Sequence, residues 1–228
     1  MAVINDPIAA TNIGRIGEIA AGVGGALDSQ HVTIRPIPTS IGHYRVNHRC
    51  VIANTQAANA RLFEVRNTHA TNLLIPTRLI LKWLQTGVHT AAIEDSLDVF
   101  KVTNFSAVDT TNTVTLTGSI KRQAMTAAPG GALLRGVTAA GAAAGMTGGT
   151  LTKDGASVGQ LPKWLLAAQP TAGAIEPSVL DCFDDVNGTH PFVFAQNEGL
   201  IVENRVLLGA AAASVVYIDF SWAEVAAY

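Results

Sequence analysis

Three short groups of residues have types and spacings that chemistry can use. Gly155-Ala156-Ser157-Val158-Gly159 fits the G-x-S-x-G pattern of a hydrolase nucleophile elbow, where a strained strand-to-helix turn lifts the serine outward. Here a Gly/Thr-rich stretch precedes the serine and Gln160-Leu161-Pro162 interrupts any helix after it, so the context the motif needs is missing. His43, His48 and Cys50 offer donors for a transition metal. On one strand His48 and Cys50 share a face while His43 takes the other, so the three do not converge. Surface histidines and a buried thiol are the plainer reading. Asp181, Asp184 and Asp185 surround Cys182-Phe183 and offer hard oxygens, but the Asp-x-Asp-x-Asp-Gly spacing of a calcium loop is absent. Gly22-Val23-Gly24-Gly25 does not complete a dinucleotide fingerprint. Asn104-Phe105-Ser106 and Asn187-Gly188-Thr189 fit the glycosylation triplet without a secretory signal to give it meaning, and Asn187-Gly188 reads better as a turn. The expectation is no catalytic residue, no cofactor, no metal ligand and no small-molecule substrate.

The elements that would carry such groups are strands. In the last run Val216, Ile218, Phe220 and Trp222 alternate with Tyr217, Asp219, Ser221 and Ala223, the period of two of a half-buried strand. Earlier strand signals cover Val32–Arg35, His43–Ile52, Arg61–Arg66, Asn72–Leu84, Leu97–Phe105, Val114–Lys121, His190–Phe194 and Leu200–Val206. Pro76 lies inside the fourth of these, which should bend there or begin anew. Its faces are both apolar, as for a strand covered on two sides. Regular short strands separated by turn residues predict an all-β fold, a β-sandwich of jelly-roll type over residues 31–228. Val216, Ile218, Phe220, Trp222, Trp83, Leu79 and Leu81 are its expected core.

Two segments do not fit that frame. Residues 1–30 are Gly/Ala-rich with Ile13, Ile16, Ile19 and Val23 interspersed, and read as an extended arm ordered against a neighbour. Residues 126–150 form a low-complexity Ala/Gly run, read as an excursion that carries Leu133 and Leu134 toward another subunit. Leu161–Leu166 reads as one helical turn or an apolar plug.

The chain has 228 residues, 48% of them hydrophobic and 14% charged, against about 25% charged in ordinary soluble domains. Mean hydropathy is +0.29. Such a composition is too apolar for disorder and predicts surface buried between subunits. The net charge of −2 comes without any run of Lys or Arg, so no nucleic-acid footprint is expected. No transmembrane helix or signal peptide is expected, and two cysteines are too few for a disulfide framework, which suits a reducing compartment.

The segment Pro191-Phe192-Val193-Phe194-Ala195-Gln196-Asn197-Glu198-Gly199, followed by the final strand ending Trp222-Ala223-Glu224-Val225, resembles the C-terminus of a group of tailed-bacteriophage virion proteins. Val32–Pro36, Ile41–Val46 and Ala57–Val65 resemble that family's early segments, so the likeness touches about half of the chain, at both ends. It implies a virion structural protein, made in the host cytoplasm, which forms or decorates the capsid or the head–tail region. The implied partners are copies of itself, with a trimer favoured by analogy, and other virion proteins such as the major capsid protein. A receptor- or glycan-binding module of a tail or fibre is the alternative, with Trp164, Tyr44 and Tyr228 as its exposed-aromatic candidates. A hydrolase using Ser157 is the third and weakest reading.

Overall fold

The computed structural model describes residues 40–87, 91–124, 129–167, 178–183, 191–209 and 214–226. The expected arm at 1–30, with Ile13, Ile16, Ile19 and Val23, lies outside them, as do Val32–Arg35, Asp184, Asp185, the Asn187-Gly188 turn and Tyr228. Among the described residues there are twelve strands and a single turn of 3-10 helix, Thr117–Ser119. The strands are β1 (Ser40–Ile52), β2 (Arg61–Asn67), β3 (Leu73–Gln85), β4 (Ile93–Ala107), β5 (Thr113–Thr115), β6 (Lys121–Ala124), β7 (Ala132–Val137), β8 (Thr150–Lys153), β9 (Gly159–Leu165), β10 (Ser178–Cys182), β11 (Gly199–Asn204) and β12 (Ser214–Val225).

They form two antiparallel sheets, one in the order β10-β3-β12-β1-β6 and the other β5-β7-β2-β11-β4-β8, with β9 also on β4. Without β5–β8, the first sheet reads β1-β12-β3-β10 and the second β2-β11-β4-β9. Successive strands of this set of eight alternate between the sheets except at β4 and β9, which pair with each other in the second, and this is the winding of a jelly roll. The β5–β8 segment is an insertion between its fourth and fifth strands. β6 lines the free edge of β1 and β7 that of β2, so the insertion covers both sheet edges on one side.

The core is set by alternation. Tyr44, Val46, His48, Cys50 and Ile52 of β1 point inward, as do Leu79, Leu81 and Trp83 of β3 and Val216, Ile218, Phe220 and Trp222 of β12. The last seven of these are at most 1% exposed. Trp222 is flanked by Tyr44 and Phe220, each with ring centroids 5.4 Å away, and Phe220 meets Phe63 of the opposite sheet at 6.0 Å. These are spacings at which aromatic pairs add stability beyond the area they bury.

Four expectations need correction. The Ala/Gly run is not one excursion: Ala132–Val137 within it is β7, paired with β2 from Phe63↔Gly136 to Asn67↔Ala132. Leu134 is wholly buried in the core and Leu133 half-buried on the other face, so the leucine expected to reach a neighbour instead holds the two sheets together. Small residues here permit close approach, since a Cβ on Gly136 would strike the His48 imidazole. The alternation from Val114 to Lys121 is not one strand, because the chain turns at Thr117–Ser119 around Gly118 and then joins the other sheet as β6. Leu161–Leu166 is neither helical turn nor plug, since its residues through Leu165 belong to β9, an edge strand where Pro162 withholds no ladder hydrogen bond. β3 is not apolar and covered on both faces: its outward face alternates exposed Arg78 and Lys82 with half-buried Ile80 and Leu84. At Pro76 the strand carries a bulge and continues, with Ser221 opposite Arg78 and Trp222 opposite Pro76.

Candidate functional site

No described residue outside the sheet covers the outward face of β10-β3-β12-β1, and its register assembles a polar surface from residues far apart in sequence. One cross-strand row runs Arg49 (β1), Tyr217 (β12), Lys82 (β3), Val179 (β10). The next runs Asn47, Asp219, Ile80, Asp181, and the third Arg45, Ser221, Arg78. Between the first two rows lies a shallow cavity of about 380 Å³, lined by Asn47, Arg49, Ile80, Lys82, Tyr217 and Asp219.

Charge on this face is sorted by the rows. Arg45 grips the Asp219 carboxylate with Nε and Nη2, the Nε–Oδ1 distance being 2.7 Å, and that bond holds the guanidinium pKa above its ordinary value. Arg78 does the same to Asp181, with Nη2–Oδ2 at 2.6 Å. The third row thus neutralises both acids of the second. Arg49 and Lys82 of the first row have no acid paired with them among the described residues. The Arg49 guanidinium lies 5.9 Å from the centroid of the Tyr217 ring, within cation–π range, and Tyr217 remains 43% exposed.

The opposite sheet is different. On its outward face Phe100, Val102 and Ile201 are covered by Phe105, Val108 and Leu151, a second apolar cluster separate from the core. Beside it Glu64 and Asp109 are buried. The Asp109 N–H donates to Glu64 Oε1 at 3.0 Å, and Asp109 Oδ1 accepts from Gly149 N–H at 2.8 Å and pairs with Arg61 at 2.8 Å. Burial, with the Asp109 charge adding to it, pushes the Glu64 carboxyl up to about 7. Asp95 is pushed up to about 6 by burial, which the N–H groups of Ser96 and Val206 only partly offset.

The groups that the sequence marked as chemical are dispersed. Ser157 sits in the loop from β8 to β9, two strands that both run antiparallel to β4, and no strand-to-helix turn exists there to present it. His48 donates from Nε2 to the Val137 carbonyl at 2.9 Å, with its pKa lowered by burial, and Cys50 is buried with its thiol pushed up to about 12. His43 faces the other way, half-buried. Burial pushes the Cys182 thiol up to about 11. Asp181 is the partner of Arg78. Among the described residues no three metal-ligating side chains gather. Of the aromatics proposed for binding, Trp164 is 58% exposed, but Tyr44 is fully buried against Trp222.

The cavity residues Asn47, Arg49, Lys82, Tyr217 and Asp219 were not singled out by their sequence. The signal that was present is alternation: each stands between inward apolar residues. Which strands lie side by side is what brings them together. No protein-family model matches the chain, and no curated protein matches it.

Proposed function

We propose that this protein is a structural subunit of a tailed-bacteriophage virion, a jelly-roll module that forms or decorates the capsid or head–tail region through contacts with copies of itself and with the major capsid protein. One observation carries this reading: three loops that meet at one end of the sandwich, 53–60, 138–145 and 205–209, hold a single charged residue, Arg205. Gln56, fully buried, ties them together. Its Nε2 donates to the Ala143 carbonyl at 3.2 Å and its own carbonyl accepts from Leu208 N–H at 2.9 Å. At the same end Leu207 is 61%, Trp164 58% and Leu166 37% exposed, with Glu94 exposed opposite Trp164. Interface cores lack charges and are rich in aromatic side chains, whereas a lone surface of this kind invites association. The resemblance supports the reading from a second side, since its C-terminal residues lead into β11 and form the end of β12, strands that are flanked on both sides in their sheets.

The test is assembly. Light scattering after size exclusion should give a concentration-independent oligomer, with a trimer favoured, and antibody should detect the protein in purified particles. Leu207→Asp with Trp164→Asp should break the oligomer while leaving the melting temperature in place. A protein that stays monomeric at high concentration and never enters particles sinks the proposal.

A further inference from the structure

We propose that the cavity on the open sheet face binds an acidic sugar residue, a uronic acid or similar carboxylated unit of a surface polysaccharide. The carrying observation is the row Arg49–Tyr217–Lys82 above Asn47–Asp219–Ile80. Tyr217 supplies a half-exposed aromatic surface on which the C–H face of a pyranose ring rests. Asn47 brings an amide that both donates and accepts, and Asp219, held in place by Arg45, brings carboxylate acceptors for hydroxyl groups. Arg49 and Lys82 flank the ring as two cations with which no acid among the described residues pairs, so the site is completed electrostatically by a carboxylate and not by a neutral sugar. Ile80 forms an apolar floor. A volume of about 380 Å³ suits one or two sugar rings, at the small end of ligand sites.

Other anions fit less well. A single nucleic-acid strand needs successive stacking aromatics along a basic groove. Tyr217 is the one exposed large aromatic of this face among the described residues. A peptide that docks by strand addition needs a free edge. β12 is paired along its length with β1 on one side and β3 on the other. The proposal is independent of the virion reading: a subunit can bind a polysaccharide wherever it assembles.

The experiment is a titration of the full-length protein with tetragalacturonate, followed by calorimetry and by amide shifts in the NMR spectrum, with maltotetraose and a dT oligonucleotide as comparators. Saturable binding of tetragalacturonate is expected, with shifts centred on Asn47, Arg49, Lys82 and Tyr217, weakened by raised salt. Maltotetraose should not saturate. Tyr217→Ala and Lys82→Gln should each weaken binding by about tenfold, the loss of one stacking contact or one ion pair to a carboxylate. Both side chains are exposed, so far-UV CD and the melting temperature should be retained. Absence of saturable binding, equal binding of maltotetraose, tighter binding of the oligonucleotide, or indifference to both substitutions would each overturn the assignment. Incorporation of Lys82→Gln into particles reads the virion proposal separately.

Discussion

The two sheets of this sandwich share one core but treat their outer faces in opposite ways. The β10-β3-β12-β1 sheet shows solvent a grid of Arg, Lys, Asp, Asn and Tyr. The β2-β11-β4 sheet buries its outer face beneath Phe105, Val108 and Leu151, with Ile201, Glu64 and Asp109 enclosed. The cause is the β5–β8 insertion and the segments around it. Residues 105–109 continue from β4 across β11 and β2, and the 146–149 segment locks them there through Thr110 N–H to Thr147 O at 3.0 Å and Gly149 N–H to Asp109. An inserted segment has turned one surface into a second core, and the burial of two carboxylates is its cost. Among the described residues the β10-β3-β12-β1 face is the one left uncovered.

The strongest way to break this contrast is to truncate beneath the cover. Phe105→Ala should cost about 3–5 kcal/mol, the range for a large aromatic in a packed interior. Trp222→Ala, in the shared core, should fall in the same range. Denaturant unfolding measures both, and a loss below 1 kcal/mol for Phe105→Ala would mean that the outer cluster is surface after all. Next in size is the effect of pH. Glu64 has an ordinary pKa of 4.5 in the unfolded chain and about 7 when folded. Between those values the unfolded chain releases a proton that the folded protein keeps, so stability is greatest at low pH and falls as pH rises toward 7. Asp95 acts in the same direction up to about 6. Glu64→Gln should remove the upper part of that fall, on the order of 2 kcal/mol at pH 8. Melting temperatures of both proteins from pH 4.5 to 8 decide it, and parallel curves would mean that Glu64 is ionised throughout. Smallest should be Asp219→Asn on the open face. Its ion pair with Arg45 is solvated, and such pairs contribute about 0–1 kcal/mol. A loss as large as that of Phe105→Ala would show the open face to be structural too.

The legible parts of the fold were those where alternation met bulk. Val216, Ile218, Phe220 and Trp222 announce β12 because every second residue is large and apolar, and Tyr44, Val46 and Ile52 announce β1 in the same way. β7 was hidden because Ala132-Leu133-Leu134-Arg135-Gly136-Val137 lies between glycines, and its small residues answer to His48 packed against them, a demand that only the tertiary structure imposes. The second core was hidden for a related reason: Phe100 and Ile201 look like the polar-side positions of half-buried strands until Phe105 is seen folding back over them. The candidate site was half legible. Tyr217 and Asp219 fall on the outward side of β12 by simple counting, but their juxtaposition with Arg49 and Lys82 depends on β12 lying between β1 and β3, which no local pattern encodes.

That placement governs when the molecule can become whole. β1 meets β3 only by way of β12, and β2 meets β4 only by way of β11. Until residues near Gly199 leave the ribosome, each sheet exists as two separate pieces with a gap one strand wide and raw edges on both sides of it. The last strands act as a keystone, so folding must wait for them, and long-range closure of this kind is slow. A chain cut short before β11 would offer four unsatisfied edges to its neighbours and none of the finished polar grid. Only chains read through to Val225 would hold both closed sheets, and a free peptide of the β12 sequence should compete for the gap while the rest of the chain is still waiting to close.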